Sequence, residues 1–308
     1  TNLEFNLNPF IYKTIRSSDF YKKLFNKIKL IKQIKIENLE VKEIISKKNK
    51  VIIHTKSDEF IGKYVFSSIL KKDLLKNSSF PFLKQHFEGW FIKTNKSFFD
   101  KNKTTLMDFS INQKNETRFI YILPFKSNEA LIEFTLFTKS ILKNSEYEKV
   151  LKEYLNNKEI DSYEILEKEK GVIPMTCYPF EKHNNSRVLF IGTAGGWTKA
   201  SSGYTFKNII TKTELLINFL KREKDLSKFN LRSRFNFYDL ILIDVLYNYN
   251  HLGDKIFSSL FRNNKPNKVL NFLDEKTNLI DELKIMYSFP WSIKILFIKA
   301  LFKNLFKY

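Results

Sequence analysis

Glycine is scarce in this chain. Eight occur among 308 residues, and four of them, Gly192, Gly195, Gly196 and Gly203, fall in one stretch, IGTAGGWTKASSGYTF at 191–206. Cysteine is scarcer: Cys177 stands alone, which excludes an intrachain disulfide and fits a reducing compartment. The nearest histidine, His183, follows in a polar loop, so a buried or incidental thiol is expected rather than a nucleophile. His54, His86 and His251 are scattered without metal-ligand spacing, and no metal is expected. Internal repeats and low-complexity linkers are missing. So is the dinucleotide fingerprint G-x-G-x-x-G. Residue 1 is Thr with no signal segment before it, and the chain reads as though it begins within a longer protein.

Acidic residues are also in deficit. Against 53 Lys and Arg stand 33 Asp and Glu, a formal charge of +20. Such a balance suits nucleic acid or an anionic membrane surface. The lysines are spread from Lys13 to Lys307 rather than gathered in a stripe, and no nucleic-acid motif is present, so a nucleic-acid partner is not expected. A non-catalytic basic binding protein stays as a remote alternative. Hydrophobic residues make up 43% and aromatics 16%, with 31 Phe, which is core-forming composition rather than that of a disordered chain.

The pattern predicts a helix over 12–35, with Ile15, Phe20, Leu24, Ile28 and Ile31 as its apolar stripe. Three β-rich runs follow as a meander, Val41 to Ser46, Val51 to Thr55 and Phe60 to Ile69. A second, antiparallel sheet is expected from 87–94, 105–111, 118–123 and 130–138. A helix over 145–156 with Ser145 as N-cap and Glu148 closing a capping box comes next, then an extended run over 161–174. Arg187 to Ile191 reads as a strand of a parallel sheet, and the helix beyond the glycine-rich turn could be capped by Ser201 or Ser202. Residues 231–308 read as all helical, with breaks near Gly253, Pro266 and Pro290.

A strand, a glycine-rich turn and a helix bring backbone N–H groups to an anion, because glycine accepts positive φ and presents no Cβ. The same stretch also reads as a tight turn with close packing.

GVIPMT at 171–176 together with the turn at 191–206 closely resembles the C-terminal signature of the flavin-dependent lycopene cyclase family, in particular its Bacteroidetes-type members. Further matching motifs are QHFEGWFIKT at 85–94, LMDF at 106–109, FIYILPF at 119–125, ALIEFTLFT at 130–138, FYDLILIDVLY at 237–247 and FLDEKTNLIDELKIM at 272–286. They run in one order over most of the chain. YKTIRSSDFY at 12–21 also looks like a family segment, and its Arg16 is either near cofactor phosphates or simply solvated.

The resemblance implies an α/β fold: a Rossmann-like, flavin hydroxylase-like FAD-binding layer without its N-terminal βαβ unit, an inserted antiparallel β-sheet, and a helical C-terminus. The parts would be residues 1–84 and 176–230 for FAD, 85–175 for substrate and catalysis, and 231–308 as the helical region. It further implies cyclisation of the linear ends of lycopene to β-ionone rings, a non-redox isomerisation with reduced FAD bound and NAD(P)H as a source of electrons. The FAD-contacting residues would be Gly192, Thr193, Ala194, Gly195, Gly196, Ser201, Ser202, Gly203 and Tyr204. Thr193 stands where the wider group of flavin hydroxylases has an Asp that holds a ribose hydroxyl, so that contact is expected to be absent or replaced. A flavin oxidoreductase or hydroxylase acting on a lipid is the alternative on the same fold.

Protonating an isolated alkene needs an acid that keeps its proton, which a carboxyl group in an apolar pocket does. Strand alternation in ALIEFTLFT puts Leu131, Glu133, Thr135 and Phe137 on one face and Ala130, Ile132, Phe134 and Leu136 on the other. By pattern, Glu133 is a solvated residue on a wet face or part of a site. The resemblance makes it the catalytic glutamate of the family's E-D-T or E-E-T motif. Phe134 replaces the second carboxylate, so a single acid is expected to suffice. Asp108 is a weaker second candidate. The tail FPWSIKILFIKALFKNLFKY at 289–308 is broken by Lys294, Lys299, Lys303 and Lys307, which disfavours a transmembrane span. An interfacial helix or a docked one fits, and the protein is expected to be cytoplasmic with peripheral membrane contact.

Overall fold

The computed structural model describes residues 3–71, 73–76 and 78–307. Helix α1 (Ser17–Ile28) is followed by strands β1 (Val41–Ser46), β2 (Val51–Thr55) and β3 (Glu59–Gly62), which form the expected antiparallel meander in the order β1-β2-β3. The expected long helix is shorter at both ends. Arg16 is extended, with φ −71° and ψ 131°, so residues before α1 run as a strap and Ile31 lies beyond its end.

The single run expected over 60–69 is two strands. After Gly62 the chain leaves the meander, and β4 (Val65–Ser67) pairs in parallel with β10 (Val188–Phe190), far along the sequence. Arg187 fixes the change of partner: its backbone carbonyl accepts from Val65 N at 2.9 Å and its guanidinium donates to the Lys63 carbonyl. This parallel pair joins the early and late parts of the chain. Val51, Val65, Val188, Phe190 and Ala194 form its small core.

Between them, after the one-turn helix α2 (Asp73–Lys76), lies the main sheet. It is built from β5 (Leu83–Thr94), β6 (Thr105–Asp108), β7 (Thr117–Lys126), β8 (Glu129–Thr138) and β9 (Tyr163–Met175), in the order β6-β7-β8-β5-β9. All its pairings are antiparallel. Helix α3 (Asn144–Asn157) connects β8 to β9. It starts one residue earlier than expected and its cap differs. Lys143 is the N-cap, and the Glu146 carboxylate, rather than that of Glu148, accepts from the Lys143 N–H at 3.0 Å. Glu148 is turned instead to Lys168 of β9.

Both faces of the sheet are covered at β5, β7 and β8, which is why these strands are apolar in both registers, while the edge strand β9 is largely exposed. One face carries Trp90, Ile92, Ile120, Ile132, Phe134 and Leu136 against Tyr147, Leu151, Tyr154 and Leu155 of α3. At about 1.5–3 kcal/mol for each large side chain buried, this layer holds α3 firmly. The other face, with Phe119 and Phe137, meets the helical region.

Helix α4 (Phe206–Leu220) follows the glycine-rich turn, and α5 (Arg234–Asn248), α6 (Gly253–Arg262), α7 (Pro266–Leu273), α8 (Leu279–Tyr287) and α9 (Trp291–Asn304) complete the chain. Neither Ser201 nor Ser202 caps α4; Thr205 occupies the N-cap position and its hydroxyl donates to the Gly203 carbonyl. Gly253 and Pro266 open helices and Pro290 is an N-cap, as the pattern predicts. One further break, after α7, lacks Gly or Pro. There Glu275 adopts φ +60°, held by an ion pair from Lys199 and a hydrogen bond from the Ser233 hydroxyl.

Candidate active site

Between the main sheet and helices α5 to α9 lies an apolar cavity of about 710 Å³. Its sheet wall is Gln85, Phe119, Tyr121, Glu133, Thr135 and Phe137, one alternating face of β5, β7 and β8. Ser201, Ser202 and Tyr204 of the glycine-rich segment close one end, and Tyr12 of the N-terminal strap lies beside them. The solvated reading of Glu133 is therefore replaced. Its carboxyl group lines an apolar cavity.

Burial pushes the pKa of Glu133 up to about 7; the Thr135 hydroxyl, donating to its Oε1 at 2.5 Å, pulls the other way, and a nearby carboxylate, Glu169, raises it further. Glu169 comes from an unexpected quarter. The register places Tyr121, Glu133, Gly89 and Glu169 in one row across β7, β8, β5 and β9, so all four share a face. Glycine at 89 leaves the space between the two glutamates free. A Cβ there would stand 3.0 Å from Glu169 Cγ and 2.8 Å from Leu131 Cδ1. The two carboxyl groups come within hydrogen-bonding reach of each other across it.

A second carboxyl group, that of Glu169, thus lies beside Glu133, where the sequence leads one to expect a lone acid. Position 134 points to the opposite face, where Phe134 is wholly buried against Tyr147, so a carboxylate at that position would project into the α3 core rather than the cavity. Asp108 is likewise on the far side. Although burial pushes its carboxyl up, hydrogen bonds from Ser110 and Tyr154 and the charge of Lys158 outweigh that and leave it lowered. It anchors α3. Arg16 pairs with Glu167 and lies 4.6 Å over the Phe91 ring, which pins the strap to β5 and β9. Burial, with Tyr204 and Glu133 close by, pushes the Tyr12 phenol above its usual range.

The nine residues of the glycine-rich segment divide. Gly192, Thr193, Ala194 and Gly195 form a 3-10 turn closed by Gly196. Ala194 is buried in the small core, and a Cβ at Gly195 would meet the Phe190 carbonyl oxygen at 2.2 Å, so both serve the turn's packing. Gly192, at φ +59°, is buried, with Ile209 Cδ1 at 3.9 Å the nearest atom to a built Cβ. Thr193 Oγ1 is 3.0 Å from Thr198 Oγ1. Gly203, at φ +71°, packs directly on Gln85, whose buried Oε1 has no hydrogen-bond donor among the described residues. The close-packing reading of the stretch holds at Ala194, Gly195 and Gly203.

Beneath this segment, buried Lys199 pairs with Asp239 and Glu275, each at 3.0 Å. Burial raises the Asp239 carboxyl, and Lys199 partly restores it. Cys177 is buried away from the cavity wall, its thiol pushed up by burial. His86, in the α3 layer, has its pKa lowered by burial to about 4 and is bound by Tyr147 and Thr138.

The cavity opens on a surface that sequence reasoning only outlined. Leu283, Tyr287 and Trp291 line it and are themselves 65%, 76% and 68% exposed. Ile280 of α8, Phe302 of α9 and Phe306 just beyond α9 are also exposed. Among the described residues no helix is long and apolar enough to cross a membrane.

Sequence reasoning missed Glu169, Gly89, Thr135, Gln85 and Tyr12. The glycine inside QHFEGWFIKT was the one available signal, since glycine within a strand marks a close approach.

Residues 4–296 match the family described as Lycopene cyclase protein. No curated protein matches. Among solved structures, a geranylgeranyl bacteriochlorophyll reductase-like protein from Thermoplasma acidophilum is similar at 11% identity over 86% of this chain and 68% of its own, with a TM-score of 0.48. The halogenase PltM in complex with phloroglucinol and FAD aligns at 11% identity over 78% of this chain and 56% of its own, TM-score 0.43. OxyS anhydrotetracycline hydroxylase from Streptomyces rimosus aligns at 10% identity over 92% and 55%, TM-score 0.41. The chain spans between 51% and 68% of the length of the solved structures it matches.

Proposed function

Because the chain belongs to the lycopene cyclase family, we propose that it carries the acid–base site of a lycopene β-cyclase, which closes the linear ends of lycopene into β-ionone rings with reduced FAD bound. The observation that carries this reading is a carboxyl group, Glu133, whose pKa burial pushes up to about 7, on the wall of an apolar cavity of about 710 Å³. Such a chamber suits protonation of an alkene, which yields a cation that water would quench.

Glu133 gives its proton to the terminal double bond. The neighbouring double bond attacks the cation and closes the ring, and the Glu133 carboxylate then removes a ring proton, so that acid and base are one group used twice. Thr135 holds Oε1 and orients the carboxyl plane. Phe119, Tyr121, Phe137 and Tyr238 present rings to the space where the cation forms, each contact worth about 0.5–2 kcal/mol. Helices α5 to α9 exclude water.

The residues present fit the isoalloxazine end of FAD. Among the described residues Gln85 Oε1 lacks a donor, and Ser201, Ser202 and Tyr204 offer hydroxyls in the same cavity. Reduced FAD supplies electron density that stabilises positive charge on a polyene. NAD(P)H serves as its reductant. Residues 1–84 and 176–230 are assigned to the cofactor part, joined through β4 and β10, with 85–175 as the substrate sheet and 231–308 as the helical wall.

The substrate is a hydrocarbon that dissolves in bilayers. The exposed Leu283, Tyr287 and Trp291 at the cavity mouth, with Lys284, Lys294 and Lys299 nearby, fit peripheral docking on the cytoplasmic face of an anionic membrane. Expression of the complete gene in a lycopene-producing host tests the reaction. Cyclic isomers of unchanged mass are expected; oxygenated or saturated products would move the reading to a flavin oxidoreductase acting on a lipid.

A further inference from the structure

We propose that Glu169 is the proton-sharing partner of Glu133: brought together over Gly89, the two carboxyl groups hold one proton between them, and Glu169 acts through Glu133. The geometry stands by itself, and its catalytic consequence rests on the cyclase reading.

Three observations converge. The register puts both glutamates in one row on one face, with the side-chain-free Gly89 between them. The Glu169 side chain fills that gap, lying 3.0 Å from where a Cβ at 89 would be. Among the described residues neither carboxyl is ion-paired, because the nearby cation Arg16 is engaged by Glu167. Two carboxyl groups side by side, one of them deeply buried and with only the Arg16 charge acting on the other, resist ionising together. Below about pH 7 one proton therefore stays with the pair. Glu133, the more deeply buried, holds it as donor, and Glu169 accepts.

Glu133 lines the cavity and Glu169 does not, so Glu169 is a positioning residue. Its role closes the proton balance. When Glu133 protonates the alkene, a C–H bond forms and one π pair is consumed; the next double bond supplies the pair for the ring C–C bond. Loss of a ring proton to Glu133 regenerates a double bond. No electrons leave or enter. While the cation exists the pair carries two negative charges, and the return of the proton is favoured because it relieves their repulsion.

The groups facing the pair are Thr135 and Tyr121 from the sheet, Tyr12 and Arg16 from the strap, Tyr204 from the glycine-rich segment, and Glu167 on β9. Of these, Glu167 pairs with Arg16, and the two act on Glu169 in opposite senses, Glu167 raising its pKa and Arg16 lowering it.

The test is an infrared pH titration of the full chain, with E133Q identifying the Glu133 carboxyl band. In wild type that band should titrate near pH 7. In E169Q, which removes the like charge, its midpoint should fall by about one pH unit or more, and E169D should restore part of the shift. G89A, whose added Cβ displaces Glu169, should move it in the same direction. An unchanged midpoint in E169Q overturns the proposal. In cyclisation assays of the FAD-loaded protein, the alkaline limb of the pH profile should move to lower pH by the same amount in E169Q, with activity below the midpoint kept within severalfold. An equal loss at every pH would mark a structural role and overturn it. A shifted band in a protein whose wild type cyclises nothing would leave the pair standing and refute the cyclase reading instead.

Discussion

Replacing Glu133 with Gln should stabilise the protein while abolishing ring closure, and the stabilisation should depend on pH. The folded carboxyl titrates near 7 and the unfolded one near 4.5. Since the folded value is the higher, the stability that comes from keeping the group neutral is complete below about pH 4.5 and is lost as pH rises through 7. The gap corresponds to about 3 kcal/mol. Glutamine is isosteric and never ionises, and it can keep the Thr135 contact. E133Q should therefore match wild type near pH 4.5 and exceed it by about 3 kcal/mol near pH 8. For 308 residues at the usual unfolding entropy, this is a rise of about 5 °C in Tm at the alkaline end. Differential scanning calorimetry of the two proteins across that pH range measures it. A constant Tm difference would mean that Glu133 is solvated or already ionised in the fold, and the reasoning that makes it an acid would fail.

Lys199→Met should cost about 3–5 kcal/mol at neutral pH, because it leaves Asp239 buried without its cation. Denaturation midpoints should recover toward wild type in acid, where Asp239 takes up a proton, and in the double variant with Asp239→Asn; failure of both would show that the cluster is not held by charge. Tyr287→Ser with Trp291→Ser should weaken sedimentation with vesicles containing anionic phosphatidylserine severalfold, and added salt should weaken the wild type as well. Equal binding of both proteins would remove α8 and α9 as the docking face.

Much of the architecture was legible because it is local. Two-residue alternation in ALIEFTLFT sets which face Glu133 and Phe134 occupy, and the pairings with β5 and β7 keep that assignment. Gly253, Pro266 and Pro290 mark helix starts because their backbone chemistry acts where they stand. The misreadings have a different origin. β4 leaves the meander to pair with β10, more than a hundred residues away, and nothing in VFS announces that partner. The break at Glu275 is held by Lys199 and Ser233 rather than by a breaker residue. The helix over 12–35 is shortened because Tyr12 and Arg16 find tertiary partners that an extended strap reaches and a helix would not.

The same distinction governs the site. In a strand, successive side chains point to opposite faces, so two acids side by side in sequence are about as far apart in function as the sheet allows. A second carboxyl for Glu133 must come from two residues along β8 or from across the sheet. Two along stands Thr135, which donates to Glu133 and opposes the raised pKa. Across β7 stands Tyr121, and the adjacent position on β5 is Gly89. That leaves β9, one strand further, which reaches Glu133 because the intervening residue has no side chain. Phe134 is then no defect. It packs the α3 layer, the polar work is done by the edge strand, and the loss of a carboxylate at 134 leaves the site with two acids and one proton.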